Sequence, residues 1–102
     1  MKKIEIESFK VQKTLCYKDL TVILYEVPLK VIFNNNIICK DFNGDIVWQV
    51  KDIFEGLPPQ DSPFINIESF NENKFIAYNF IGGQYYVSVK TGDLELINNL
   101  RY

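Results

Sequence analysis

The chain is 102 residues long, enough for one domain around a single core and too short for two. With 47% hydrophobic and 24% charged residues it does not belong among disordered chains, and its net charge of −2 at pH 7 argues against direct binding to nucleic acid. Histidine is absent, which removes every catalytic scheme built on an imidazole.

At the start of the chain, Met1-Lys2-Lys3 runs into the alternating Ile4-Glu5-Ile6-Glu7 rather than an apolar core, so no signal peptide is expected and a cytoplasmic location is. Ile4 and Ile6 share one phase of a period-two pattern and Phe9 and Val11 the other. This predicts a long first strand with a bulge or bend near Ser8. Thr21 to Val27 is almost unbroken in β-formers and reads as a central strand buried on both faces, ended by Pro28. The apolar stretch from Thr21 to Phe33 is too short and too interrupted for a bilayer, so no membrane partner is expected.

Leu29 to Phe33 is expected to form a strand that turns at Asn34-Asn35-Asn36 and returns as Ile37 to Phe42. Asn43-Gly44 between apolar runs is a strong hairpin signal, and it leads into a strand with Ile46, Trp48 and Val50 on one face, which puts Trp48 in the core. Val50, Ile53, Phe54 and Leu57 stand at i, i+3, i+4 and i+7, so at most one short helical turn is expected near 51–57 before Gly56 and Pro58-Pro59 stop it. Strands follow at Phe64 to Phe70, Lys74 to Ile81, Tyr85 to Val89 and Asp93 to Asn98, with turns at Asn71-Glu72-Asn73, Gly82-Gly83 and Thr91-Gly92. The aromatics Phe75, Tyr78, Phe80, Tyr85 and Tyr86 are expected in the core or in cross-strand pairs.

The reading is thus an all-β fold, a single domain over residues 1–102, made of antiparallel sheets with eight to nine short strands joined by hairpins. Asn43-Gly44-Asp45-Ile46 lines up with Thr91-Gly92-Asp93-Leu94 at a spacing of 48 residues, and Trp48 with Leu96. Strand-turn-strand units at that spacing are propeller-blade-like, although two units cannot close a propeller.

Little of this supports chemistry. Cys16 and Cys39 stand alone, with no metal-ligand spacing around them, and are expected as reduced thiols in the core. Gly82-Gly83 and Gly92 are hairpin glycines that precede no helix, so they offer no phosphate cradle. Asp41 and Asp45 flank a turn and are the best candidates for a carboxylate pair, but a hairpin tip offers them no cleft. No catalytic, cofactor-binding or metal-ligating residue is assigned, no cofactor is expected, and the chain is read as a non-enzyme.

Charge is distributed unevenly. Residues 1–40 hold seven lysines against four acids, whereas residues 41–72 hold Asp41, Asp45, Asp52, Glu55, Asp61, Glu68 and Glu72 against Lys51 alone. A segment of this kind attracts basic partners and repels anionic ones.

Residues Ile37 to Trp48, Pro63 to Ile67, Ile76 to Phe80 and Tyr86 to Leu94 resemble small bacterial immunity proteins of contact-dependent growth-inhibition and other polymorphic toxin systems. The resemblance implies a cytoplasmic inhibitor, monomeric until it joins a heterodimer with its cognate toxin, most often a nuclease and here with a ribonuclease favoured. On that reading Asp45, Asp52, Glu55, Asp61, Glu68 and Glu72 face a basic active-site cleft, with Phe54 as an apolar anchor. The competing expectation is a structural or ligand-binding β module, blade-like, that self-associates through its sheet edges.

Overall fold

Short turn-forming segments between alternating apolar runs dictate a meander, and that is what a computed structural model, which describes residues 5–53, 56–57 and 61–99, contains. Among these residues there are eight strands: β1 (Lys10–Cys16), β2 (Leu20–Glu26), β3 (Ile37–Asp41), β4 (Ile46–Gln49), β5 (Phe64–Ser69), β6 (Lys74–Asn79), β7 (Gly83–Ser88) and β8 (Leu94–Asn99). They form two four-stranded antiparallel sheets of order β1-β2-β3-β4 and β5-β6-β7-β8, so the all-β reading holds. The inner faces pack on each other. Val22, Leu24, Ile37, Cys39, Trp48 and Val50 from the first half meet Phe64, Ile67, Phe75, Ala77, Val87 and Val89 from the second in one buried cluster. Trp48 lies flat on Phe75, with ring centroids 6.1 Å apart, and its indole N–H donates to the Val89 carbonyl at 2.8 Å.

The central-strand reading of β2 also holds, because its outer face is covered too. Ile6, Tyr25 and Ile38 form a second cluster with Phe9, Ile23 and Phe33. The cover is a 3-10 turn at Ile6–Ser8, so the expected long first strand is corrected: it begins only at Lys10. Ser8 turns the chain by donating its hydroxyl to the Glu5 carbonyl, which competes with a ladder bond. Lys40 pins the turn through an ion pair with Glu7 at 2.6 Å. That hydrogen bond raises the Lys40 pKa.

Each of the four edge strands is bulged. Gln12 in β1, Val47 in β4, Ile65 in β5 and Ile97 in β8 are each skipped by the register with the neighbouring strand. The bulge at Val47 corrects the face assigned to β4: Trp48 and Val50 point inward, while Ile46 is rotated out and is 48% exposed. Both sheets carry bulges in their first and fourth strands and a left-handed glycine in their last turn, and of these Gly44 and Gly92 alone stand at the 48-residue spacing, the bulges being 53 and 50 residues apart. The pairing of Trp48 with Leu96 does not fit the repeat reading, since one is buried and the other is 58% exposed.

One further expectation is corrected. Residues 29–33 form no strand: Val31 N–H bonds back to the Pro28 carbonyl, and β3 pairs with β2 instead. The limit of at most one short helical turn near 51–57 is respected, since the described part of that stretch contains no helix; Ile53 packs on the core and Leu57 is 61% exposed.

Cys39 is buried as expected, but Cys16 is exposed, because on the edge strand β1 it is Leu15 that packs against the core. Burial pushes the Cys39 thiol up to about 11, with Asp41 adding to the effect. A thiol reagent should therefore label one cysteine in the native protein and both after denaturation; rapid labelling of both in the native state would contradict the packing. The sign of the pH dependence follows. The folded state keeps the Cys39 proton where the unfolded chain releases it, so stability is intact below the unfolded pKa and falls as pH rises from about 9 towards about 11.

Candidate functional site

Meander topology sends successive connections to alternate ends of a sheet. At one end lie the β1–β2, β3–β4, β5–β6 and β7–β8 turns, tied across the sheets by the Tyr17 hydroxyl, which donates to the Lys74 carbonyl at 3.4 Å. At the other end lie the long connection 27–36, the described residues of the connection 50–63 and the short one at 80–82.

Buried asparagines hold that second end. Asn36, fully buried, donates its amide to the carbonyls of Tyr25 and Phe64, both at 2.8 Å, and its Oδ1 accepts from Phe64 N–H at 2.9 Å. Asn34 Oδ1 accepts from Ser62 N–H at 3.0 Å, and its amide donates to Asp52. Asn79 Oδ1 accepts from Gly83 N–H at 2.8 Å, and Phe80 N–H donates to the Pro63 carbonyl at 2.9 Å. The Asn34-Asn35-Asn36 run is thus a clamp between the two halves of the chain, where the sequence reading made it a hairpin tip. Two buried polar atoms, Ser62 Oγ and Asn79 Nδ2, have no hydrogen-bond partner among the described residues, and both lie at this end. Lys30, the one non-glycine with positive φ (72°) among the described residues, is also here. Strain and unpaired polar groups of this kind concentrate at functional surfaces.

The clamped connections present apolar side chains to solvent. Leu29 is 93% exposed and Phe80 65%, and Ile32 in the 27–36 connection and Leu57 in the 50–63 connection are exposed as well. Val27, Pro28, Leu29 and Val31 from the first connection join Pro63, Ile65 and Phe80 around a groove of about 180 Å³ whose one ionisable lining residue is Asp61. Phe80 was expected in the core or in a cross-strand pair. It stands one residue past β6, where alternation no longer applies, and an apolar residue between Asn79 and Gly82-Gly83 was the signal for an exposed anchor. Leu29, in a turn opened by proline, carried the same signal.

The predicted acidic residues are divided between places. Asp45 is exposed in the β3–β4 turn, where its N–H and that of Asn43 both bond to Asp41 Oδ1 at 3.0 and 2.9 Å. The Asp41 carboxylate is therefore used to build a turn. Glu72 is exposed in the β5–β6 turn at that same end. Glu68 is exposed on β5 and accepts the Tyr78 hydroxyl at 3.0 Å. Burial and then this bond raise the Tyr78 pKa. Asp52 and Asp61 lie at the loop end. Phe54 and Glu55 lie outside the described residues. The physical reason for the division is topological: the acidic segment spans a turn, a long connection, a strand and another turn, and the meander deals these to opposite ends.

A wider depression of about 450 Å³ lies on the outer face of the first sheet, between Glu5, Glu7, Phe33, Asn35, Ile46 and Gln49. Its Glu7 is already paired with Lys40. Among the described residues no group of three or more potential metal ligands is found, and no helix is long and apolar enough to cross a membrane. No curated protein and no solved structure matches the chain. A family model described as Domain of unknown function (DUF7957) matches residues 2–99, nearly the whole length, and the chain therefore belongs to the DUF7957 family.

Proposed function

We propose that this protein neutralises a toxin domain, a nuclease and most simply a ribonuclease, by seating its loop end across the basic active-site cleft. The observation that carries the reading is the pair of exposed apolar side chains Leu29 and Phe80 on one groove at the end joined by the asparagine clamps, with Asp61 on its lining and Asp52 at the same end. A pre-ordered apolar centre with charge beside it is the anatomy of a specific interface, and the rigidity lowers the entropic cost of docking. The acids Asp45, Glu68 and Glu72 then act at a distance, speeding encounter with a cationic partner rather than forming the contact. Self-association through sheet edges is disfavoured by the bulge on each edge strand, a feature that blocks ladder extension.

The test is a search of the neighbouring genes for a toxin domain and co-expression with it, followed by calorimetry on the purified pair. Wild type should restore growth and bind with salt-dependent affinity. Leu29→Asp should weaken binding by about 100-fold or more, whereas Asp45→Asn with Glu72→Gln should change equilibrium affinity by less than about threefold. Absence of protection and of binding would sink the reading, as would a stable homodimer with no affinity for the toxin.

A further inference from the structure

The groove between the 27–31 connection and Phe80 has a size and a chemistry that go beyond a general docking surface. Its volume is about 180 Å³. An apolar cavity of about 150 Å³ accepts a benzene ring, so this groove holds one ring-sized or branched aliphatic group and no more. Val31, Pro63 and Ile65 contribute apolar surface, and Asp61 is the single ionisable group on the lining. Lys30 is exposed at the neighbouring tip but does not line the groove. Asp61 is itself exposed, so it meets a cation at the rim rather than in the interior.

We infer that the groove takes one aromatic or branched aliphatic side chain from a protein partner in which a lysine or arginine stands next to that residue, the cation meeting Asp61. This deepens the toxin reading and rests on the loop end being the docking surface. It also commits to one partner chemistry: a basic-flanked apolar anchor, with an acidic-flanked one rejected because its carboxylate would be placed opposite Asp61.

Three capped tripeptides, Lys-Phe-Lys, Lys-Ala-Lys and Glu-Phe-Glu, serve as probes in an amide NMR titration of the intact protein. Lys-Phe-Lys should shift the Val31, Ile65 and Phe80 amides, and the other two should bind at least about fivefold more weakly. Asp61→Asn should erase the preference for lysine flanks over glutamate flanks, and Phe80→Asp, at a position already open to solvent, should abolish the response. No shift with Lys-Phe-Lys, equal binding of Glu-Phe-Glu, an unchanged preference in Asp61→Asn, or shifts centred on the opposite end would overturn the inference. The two readings fail separately. A neighbouring toxin that does not bind while Lys-Phe-Lys still enters the groove ends the toxin proposal alone, and a toxin still bound tightly by Phe80→Asp ends the groove proposal alone.

Discussion

Gly92→Ala should destabilise the protein by about 3 kcal/mol, a drop of about 15 °C in Tm. Gly92 has φ +78°, a conformation that costs any residue with a side chain about 1 kcal/mol or more. The larger part comes from space, because an added Cβ would lie 2.5 Å from Trp48 Cε3 and 2.6 Å from Trp48 Cδ2. Trp48 cannot yield cheaply: it is stacked on Phe75 and hydrogen-bonded to the Val89 carbonyl. Gly44 supplies the control within the same molecule. It has φ +86° with nothing within 4 Å of an added Cβ, so Gly44→Ala should cost only about 1 kcal/mol. Thermal or urea unfolding of the two variants separates backbone strain from the clash, and equal losses would show that Trp48 does not wedge against the last hairpin.

The second large effect is expected at Asn36. Removing its side chain leaves three polar groups of Tyr25 and Phe64 without the bonds that Asn36 makes to them at the buried junction of the two halves. At about 1–3 kcal/mol for each unsatisfied group, Asn36→Ala should lose about 4 kcal/mol. Asn36→Asp is the sharper test. Its carboxylate keeps the acceptor for Phe64 N–H but faces two carbonyl oxygens that need a donor, so the folded state favours the protonated acid. The folded pKa is then raised, and the variant should be more stable in mild acid, losing that stability as pH rises through the folded pKa. A flat pH profile would mean that the clamp relaxes and admits water. Both variants should also weaken partner binding beyond their effect on stability, because connections 27–36 and 50–63 would no longer be held in register.

These two residues mark where sequence reasoning succeeds and where it stops. Thr91-Gly92 was legible as a turn because turn chemistry is local, but nothing near it in the chain announces that Trp48 lies against it. Asn36 was read from the same local chemistry and was misplaced, since asparagine serves a solvent-exposed turn and a buried clamp equally well. The candidate site suffered more. Phe80 and Leu29 look like core residues by composition, and their exposure follows from lying one residue beyond the end of β6 and three beyond the end of β2, a matter of where a strand stops.

Read alone, the sequence determined the all-β class, β2 as a doubly covered central strand, the Asn43-Gly44 and Thr91-Gly92 hairpins and the run of strands from Phe64 onward. Period-two alternation and left-handed turn residues act over a few neighbouring positions, so the chain states them directly. The tertiary structure decided the four bulges, the 3-10 cover at Ile6–Ser8, the buried asparagine clamp and the separation of Asp45 and Glu72 from Asp52 and Asp61. Each of these depends on which residues from distant segments meet, and on the alternation of meander connections between two ends, neither of which is encoded in any short stretch of the chain.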